Sequence, residues 1–320
     1  MKIHRSISEL PQAPGPVVLA IGVFDGLHLG HRAVLERAQI EAKRLGGTAV
    51  PLSFDPHPAH VLRPDGAPLL LTPPEHKLLL LRGLGFSHAL ILPFDQTMAA
   101  TSADEFIEKL ALAARPLAAV CVGQEWAFGK GRHGNLQKLG QLGAQLHFRE
   151  IGVPEIQKDG EVVSSTRIRN AVTLGNFSEA ERLLGRPYSV FGRVLQGKAL
   201  GRTLGFPTAN IALSSQQLPP HGVYAVRVRE VHSGAVYSGV ANLGIRPTVE
   251  TLSGLPLLEV HLFDFSGDLY EKNLEVEFVA YLREERKFAS IVLLKKQIEL
   301  DTTQARAVFA QSKAAGLSGS

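Results

Sequence analysis

The chain has 320 residues, 45% of them apolar, 20% charged and 7% aromatic, which suits a soluble globular protein of about two domains at roughly 150 residues each. Lys and Arg number 34 against 30 Asp and Glu, a net charge of +4, with 19 against 18 through residue 184 and 15 against 12 beyond it; neither half offers a basic footprint for nucleic acid or anionic lipid. A single cysteine, Cys121, excludes an intrachain disulfide and a Cys-rich metal site, and its apolar setting, Ala118 to Val122, predicts a buried, inert thiol. The first 16 residues lack a secretory pattern, and the longest apolar run, Val17 to Phe24, is too short to span a bilayer. A cytoplasmic protein is expected.

In chain order, Val17 to Phe24 reads as a buried strand. Leu29 to Leu45, with apolar residues at helical spacing and charges between them, reads as an amphipathic helix stopped by Gly46 and Gly47. Strands at Thr48–Phe54, His88–Phe94 and Ala118–Gly123 alternate with helices at Pro74–Leu84 and Ala103–Ala113. That rhythm predicts a parallel sheet covered by helices, with ligands bound beyond the carboxyl ends of its strands. The turn from first strand to first helix, Gly22-Val23-Phe24-Asp25-Gly26-Leu27-His28-Leu29-Gly30-His31, has the makings of a polyphosphate site. Its glycines allow close backbone approach, a helix N-terminus supplies N–H donors, and His28 and His31 supply imidazoles on one face. Ser164-Ser165-Thr166-Arg167-Ile168-Arg169 adds hydroxyls followed by arginines, either a helix cap or a second clamp on phosphate oxygens. His57 and His60 lack a convincing third ligand for a metal. Gly129-Lys130-Gly131-Arg132-His133-Gly134 matches Gly-x-Gly-x-x-Gly in the middle of the domain rather than at its first turn, and is expected to be a mobile loop near the bound ligands.

Near Leu184-Gly185 the pattern changes, dividing the chain into 1–184 and 185–320. Short alternating runs at Tyr188–Leu195, Val223–Arg229, Val236–Leu243, Leu257–Phe263 and Leu274–Tyr281, separated by turn residues, predict a small antiparallel barrel. A helix over Ser290–Gln311 closes it, and Ala314 to Ser320 is expected to fray. Gly197, Gly201 and Gly205, with Lys198 and Arg202 among them, form a charged flap ahead of Phe206-Pro207-Thr208-Ala209-Asn210. Thr208 and Asn210 offer neutral oxygens of the kind Mg²⁺ accepts alongside phosphate and water. In Leu258-Glu259-Val260-His261-Leu262 the leucines and valine share one side, so Glu259 and His261 point to the other. Glu259 is therefore a candidate general base for a substrate hydroxyl.

The first two motifs resemble the nucleotidyltransferases that act on the α-phosphate of ATP or CTP, and Ser53-Phe54-Asp55-Pro56-His57-Pro58 is similar to a motif of their flavin branch. The second half resembles riboflavin kinase over nearly its whole length, through Gly-Phe-Pro-Thr-Ala-Asn, Val240 to Thr248 and Leu258 to His261. Their order resembles the bacterial bifunctional riboflavin kinase/FAD synthetases. The resemblance implies a Rossmann-like α/β nucleotidyltransferase domain followed by a riboflavin kinase barrel. Riboflavin, FMN and ATP would be the substrates, Mg²⁺ would accompany ATP, and neither nucleic acid nor a membrane would be a partner; self-association is left open. It also implies roles. Glu259 would be the base for riboflavin, with Thr208 and Asn210 on Mg-ATP and Gly197, Gly201 and Gly205 around the nucleotide. His28 and His31 would stabilise the adenylyl group in transfer. Gly22, Phe24, Asp25, Gly26, Ser164, Ser165, Thr166 and Arg169 would hold the second nucleotide, and Asp55, His57, Trp126, Phe128 and Arg246 the flavin.

Three positions depart from the family pattern. Glu125 and Trp126 replace Asp/Asn and Phe after the strand at Ala118–Gly123, and Glu271 stands where glycine is usual. Two rival readings stay open: a kinase whose first domain transfers poorly or uses another nucleotide, and a non-catalytic flavin-binding regulator.

Overall fold

The computed structural model describes residues 1–114, 116–196, 206–213, 215–245 and 256–317. They form two compact units, Met1–Ser165 and Thr166–Ser320.

The first unit is a six-stranded, all-parallel sheet. Its strands are β1 (Lys2–His4), β2 (Val17–Ile21), β3 (Thr48–Asp55), β4 (His88–Pro93), β5 (Leu117–Gly123) and β6 (Arg149–Val153), in the order β1-β4-β3-β2-β5-β6. Its helices are α1 (Leu29–Leu45), α2 (Pro58–Leu62), α3 (Pro74–Gly83), α4 (Gln96–Ala100), α5 (Ala103–Ala113) and α6 (Leu136–Leu146). All five residues of β2 are buried, because both faces of the strand are covered. Leu19 and Ile21 pack with Phe106, Ile107 and Leu110 of α5 and Leu139 and Leu142 of α6, while Val18 and Ala20 meet Val34, Leu35 and Ala38 of α1 and Leu81 of α3. A hairpin, β7 (Gln157–Lys158) and β8 (Glu161–Val162), follows. The strand order reverses between β2 and β5, which puts the ligand crevice of such a sheet at their carboxyl ends.

Helix α1 occupies the predicted residues. Gly46, at φ +62°, ends it by turning its N–H back onto Ala42 and Lys43 carbonyls. Cys121 is fully buried, and burial pushes its thiol up to about 12. The 129–134 turn, expected to be mobile, is tied down instead. Phe128 and Gly134 exchange two backbone hydrogen bonds (3.0 and 2.9 Å), and the Lys130 N–H donates to the Thr101 carbonyl at 2.8 Å. Gly129 sits so close that a Cβ there would lie 2.5 Å from the Ala103 nitrogen.

The second unit begins with α7 (Ser165–Thr173, whose first residue belongs to unit one) and α8 (Phe177–Leu184). It continues as a closed antiparallel barrel of β9 (Ser189–Leu195), β10 (Ala209–Ala212), β11 (Gly222–Glu230), β12 (Val236–Ile245), β13 (Pro256–Leu262) and β14 (Asn273–Arg283). The barrel order is β10-β13-β12-β11-β14-β9, closed by β9 on β10. Helix α9 (Ile291–Leu317) packs Ala305, Val308 and Phe309 against Val223, Val240 and Phe263 on the barrel's outer surface. It runs on through Ala314, where a frayed tail was expected.

Candidate active sites

In the first unit, Gly22 continues β2 by donating its N–H to the Leu52 carbonyl at 3.1 Å; a Cβ there would come within 2.7 Å of the Phe24 ring. Phe24 has φ +52° and a buried ring set edge-on to His31, with centroids 5.4 Å apart. The buried Asp25 carboxylate accepts the N–H groups of Leu71 (3.2 Å) and Thr72 (2.9 Å), and the Gly26 N–H donates to Thr72 Oγ1 at 3.0 Å. Two of the predicted nucleotide residues, Asp25 and Gly26, are thus held from a segment 46 or 47 residues away in sequence.

His28 is the N-cap of α1, and its Nδ1 accepts the His31 N–H at 3.3 Å. An accepting Nδ1 carries no proton, so in neutral His28 the proton sits on Nε2, which is the hydrogen-bond donor left to the ring. The two imidazoles stack with centroids 3.7 Å apart. Gly30 leaves room for this arrangement, since a Cβ would lie 3.2 Å from His28 Cε1. Burial, then the neighbouring His28, then Lys77 hold His31 well below the usual histidine pKa. Its Nδ1 is buried and has no hydrogen-bond partner among the described residues. The result is a stacked pair, with His31 neutral, at the positive end of a 17-residue helix, beside the first-turn N–H groups of Leu29 and Gly30 that no helix satisfies internally. An anionic group fits there.

Ser165 opens α7, and its hydroxyl donates to the Asp25 carbonyl at 3.0 Å, joining the second motif to the first. Ser164 precedes it, half-buried, and Thr166 and Arg169 follow on the helix. Arg167 is held by Glu179 at 2.7 Å. At the end of β3, Asp55 lies 3.8 Å from Arg5, and His57 caps α2 by accepting the Ala59 N–H at 3.1 Å. Trp126 and Phe128 stack at 4.3 Å, but Phe128 belongs to the core and Trp126 is only half-buried. Phe54 and Phe94 form a separate pair, set edge to face at 5.5 Å at the ends of β3 and β4. Sequence reading missed both, because a phenylalanine at a strand end looks like any other core residue.

In the barrel, β13 alternates as predicted: Leu258, Val260 and Leu262 are buried, Glu259 is exposed and His261 half-buried. Register places Asn210, Glu259, Asn242, Val223 and Arg283 abreast on five consecutive strands. All five line a cavity of about 360 Å³, together with Thr208 and Glu285. His261 Nδ1 lies 3.0 Å from the Pro207 carbonyl, and the Phe206 ring sits edge-on to His261 at 5.3 Å, which fixes the approach to Thr208. Asn242 donates through Nδ2 to Glu285 Oε1 at 3.2 Å. Asn242 is a site residue the sequence reading passed over; its strand alternation carried the signal, but only pairing with Glu259 gives it meaning. The far wall is α9, held by a bidentate pair from Arg283 to the buried Asp301 (2.8 and 2.7 Å). A second cavity of about 330 Å³ lies alongside, lined by the turn Phe265–Tyr270 and sharing only Thr208 with the first. Gly197, Gly201, Gly205 and Arg246 lie outside the described residues.

A phosphate-ready switch point in a doubly wound sheet, followed by a barrel with a carboxylate in a cavity, defines a two-site nucleotide-dependent transferase. The chain belongs to the bifunctional riboflavin kinase/FMN adenylyltransferases. Residues 10–167 match the FAD synthetase family and residues 184–309 the riboflavin kinase family. Curated relatives of that bifunctional description from Pseudomonas fluorescens (39% identical over 312 residues, 98% of this chain and 99% of the relative) and Escherichia coli strain K12 (39% over 316 residues, 98% and 100%) span both sites. A crystal structure described as a macrolide-efflux protein from Streptococcus pneumoniae superposes with a TM-score of 0.78 at 29% identity, covering 94% of this chain and 97% of that one. Among the described residues no helix is long and apolar enough to cross a membrane.

Proposed function

We propose that this chain performs both reactions of its family in series, phosphorylating riboflavin to FMN in the barrel and adenylylating FMN to FAD on the parallel sheet. The observation that carries the reading is Glu259: an exposed carboxylate on a rigid strand, flanked in register by Asn210 and Asn242, inside a cavity that meets a second one at Thr208. The cavity holding Glu259 takes riboflavin, since the base must reach the ribityl 5′-hydroxyl. The neighbouring cavity takes ATP, and the γ-phosphoryl crosses at the shared Thr208. Glu259 accepts the hydroxyl proton as the oxygen attacks the γ-phosphorus and ADP leaves.

Among the described residues there is no group of three or more His, Cys, Asp or Glu side chains that could hold a metal ion. Thr208 and Asn210, neutral oxygen donors on one cavity wall, instead suit a hard ion that keeps phosphate and water ligands. These two residues would hold Mg²⁺, which supplies charge neutralisation on the phosphates when bound.

In the first unit a phosphate oxygen of FMN attacks the α-phosphorus of a second ATP and pyrophosphate leaves. His28 Nε2–H and His31 stabilise the oxygens that gain charge, and Ser164 and Ser165 hold the triphosphate. Asp55, His57 and Trp126 stand on the flavin side. We place the boundary between the activities at Leu184, where the riboflavin kinase match begins, and the enzyme in the cytoplasm. Its partners are the small molecules riboflavin, FMN and ATP. Incubating the purified chain with riboflavin, excess ATP and Mg²⁺ and resolving flavins by chromatography tests this: FMN appears first and FAD later. FMN alone removes the adenylyltransferase assignment, and no product removes both.

A further inference from the structure

Lysine is rarely buried without a partner, yet Lys77 of α3 is 7% exposed. Its Nζ donates to the Val23 carbonyl at 2.8 Å and to Ser53 Oγ at 3.1 Å, and Ser53 Oγ itself donates to Val23 at 2.8 Å. Helix α3 thus reaches over the ends of β2 and β3 and grips a residue inside the glycine–histidine motif. Both hydrogen bonds of Lys77 go to uncharged oxygens, so its charge is not spent on a hydrogen-bonded carboxylate. The charged groups acting on it are Asp25 on the β2 loop and Asp55 at the end of β3, and it acts in turn on His31 of α1, which stacks on His28.

We propose that Lys77 is a positioning residue for adenylyl transfer: its ammonium fixes Val23, and with it the loop leading into His28 and His31, and places a positive charge behind the seat of the triphosphate. The inference rests on the reading of the first unit as the adenylyltransferase. Nothing in the sequence flags Lys77, which stands in an ordinary amphipathic helix 46 residues beyond His31.

Burial lowers the Lys77 pKa to about 8 against the favourable pull of Asp25 and Asp55. Its charge is therefore present below about pH 8 and lost above it. His31, kept neutral, does not titrate in that range.

The test uses the full chain with FMN, ATP and Mg²⁺, measuring kcat and KM for ATP from about pH 6 to about pH 10, the range that brackets the Lys77 transition. Wild-type kcat declines above about pH 8. Lys77→Met lowers kcat by about 10- to 100-fold, as a displaced catalytic loop does, and removes that inflection. Riboflavin phosphorylation by the same preparation is unchanged. Ser53 still holds the Val23 carbonyl in this variant, so the loop keeps one anchor. Lys77→Arg, charged at every pH used, keeps activity above that of Lys77→Met and shows no decline above pH 8. Lys77→Met with wild-type kcat, loss of both activities together, or a Lys77→Arg profile that still falls at pH 8 overturns the proposal. A wild type that makes no FAD overturns the adenylyltransferase reading itself, a result separate from any of these.

Discussion

His28 and His31 share a helix terminus but divide its work. His28 spends Nδ1 on the cap and keeps Nε2–H as a donor, while His31 stacks on it and is held neutral. A neutral His31 avoids the cost of packing two imidazolium ions 3.7 Å apart. Replacing His31 with alanine is expected to lower FAD formation from FMN by about 10²- to 10³-fold, the usual cost of removing one such donor, with riboflavin phosphorylation unchanged; assaying the two reactions separately checks this. A pH consequence follows. Because the folded pKa of His31 lies below its unfolded value, the unfolded chain binds more protons in acid, so stability is intact above about pH 6.5 and falls as pH drops below it. Burial lowers His4 and His88 in the same direction, and these are hydrogen-bonded to one another at 2.9 Å across β1 and β4. Melting temperatures measured between about pH 5 and about pH 8 should decline toward acid, and less steeply in His31→Gln. His28 and His31 were legible because chemistry-bearing types recur there at short spacing in sequence. Asn242, Ser53 and Lys77 were not, since each acquires its role only through a partner 17 to 54 positions away.

At the scale of elements, the barrel's contribution is register. Asn210, Glu259 and Asn242 come from three strands, and a slip of one residue in β13 would turn Glu259 into the core and Val260 into the cavity. Alternation let five of the six barrel strands be read from sequence. Strand β10, four residues long and preceded by proline, and β1, three residues long, show no usable periodicity and emerge only through pairing. Glu271 explains itself structurally: at φ +66° it occupies the left-handed conformation where glycine is cheaper, and the Arg193 side chain holds its carboxylate. Besides its apolar face, helix α9 is tied to β14 by the pair between half-buried Arg283 and buried Asp301. Asp301→Ala would leave Arg283 facing the cavity without its bidentate partner, which typically costs about 3–5 kcal/mol for a buried pair. The expected outcome is a lower melting temperature for the kinase unit and loss of FMN formation, with conversion of supplied FMN to FAD retained. Loss of both activities would show instead that α9 supports the whole chain.

For the molecule as a whole, FMN is the product of one proposed site and the substrate of the other, and each site draws on its own fold. The sequence divides its chemistry in the same way, since the glycine–histidine and Ser-Ser-Thr motifs precede residue 170 and Thr208, Asn210 and Glu259 follow it. Two crippled chains should therefore complement each other. Glu259→Gln lacks the base for riboflavin but keeps the stacked histidines, while His31→Ala keeps the base and loses adenylyl transfer. Neither alone makes FAD from riboflavin at an appreciable rate. Mixed, the second supplies FMN to solution and the first converts it, so FAD appears after a lag that shortens as the His31→Ala chain is raised. Chromatography of the mixture over time distinguishes the alternatives. FAD at a rate set by accumulated FMN means the intermediate exchanges through solvent, and FMN accumulation without FAD means that the second reaction accepts FMN only from the barrel of its own chain.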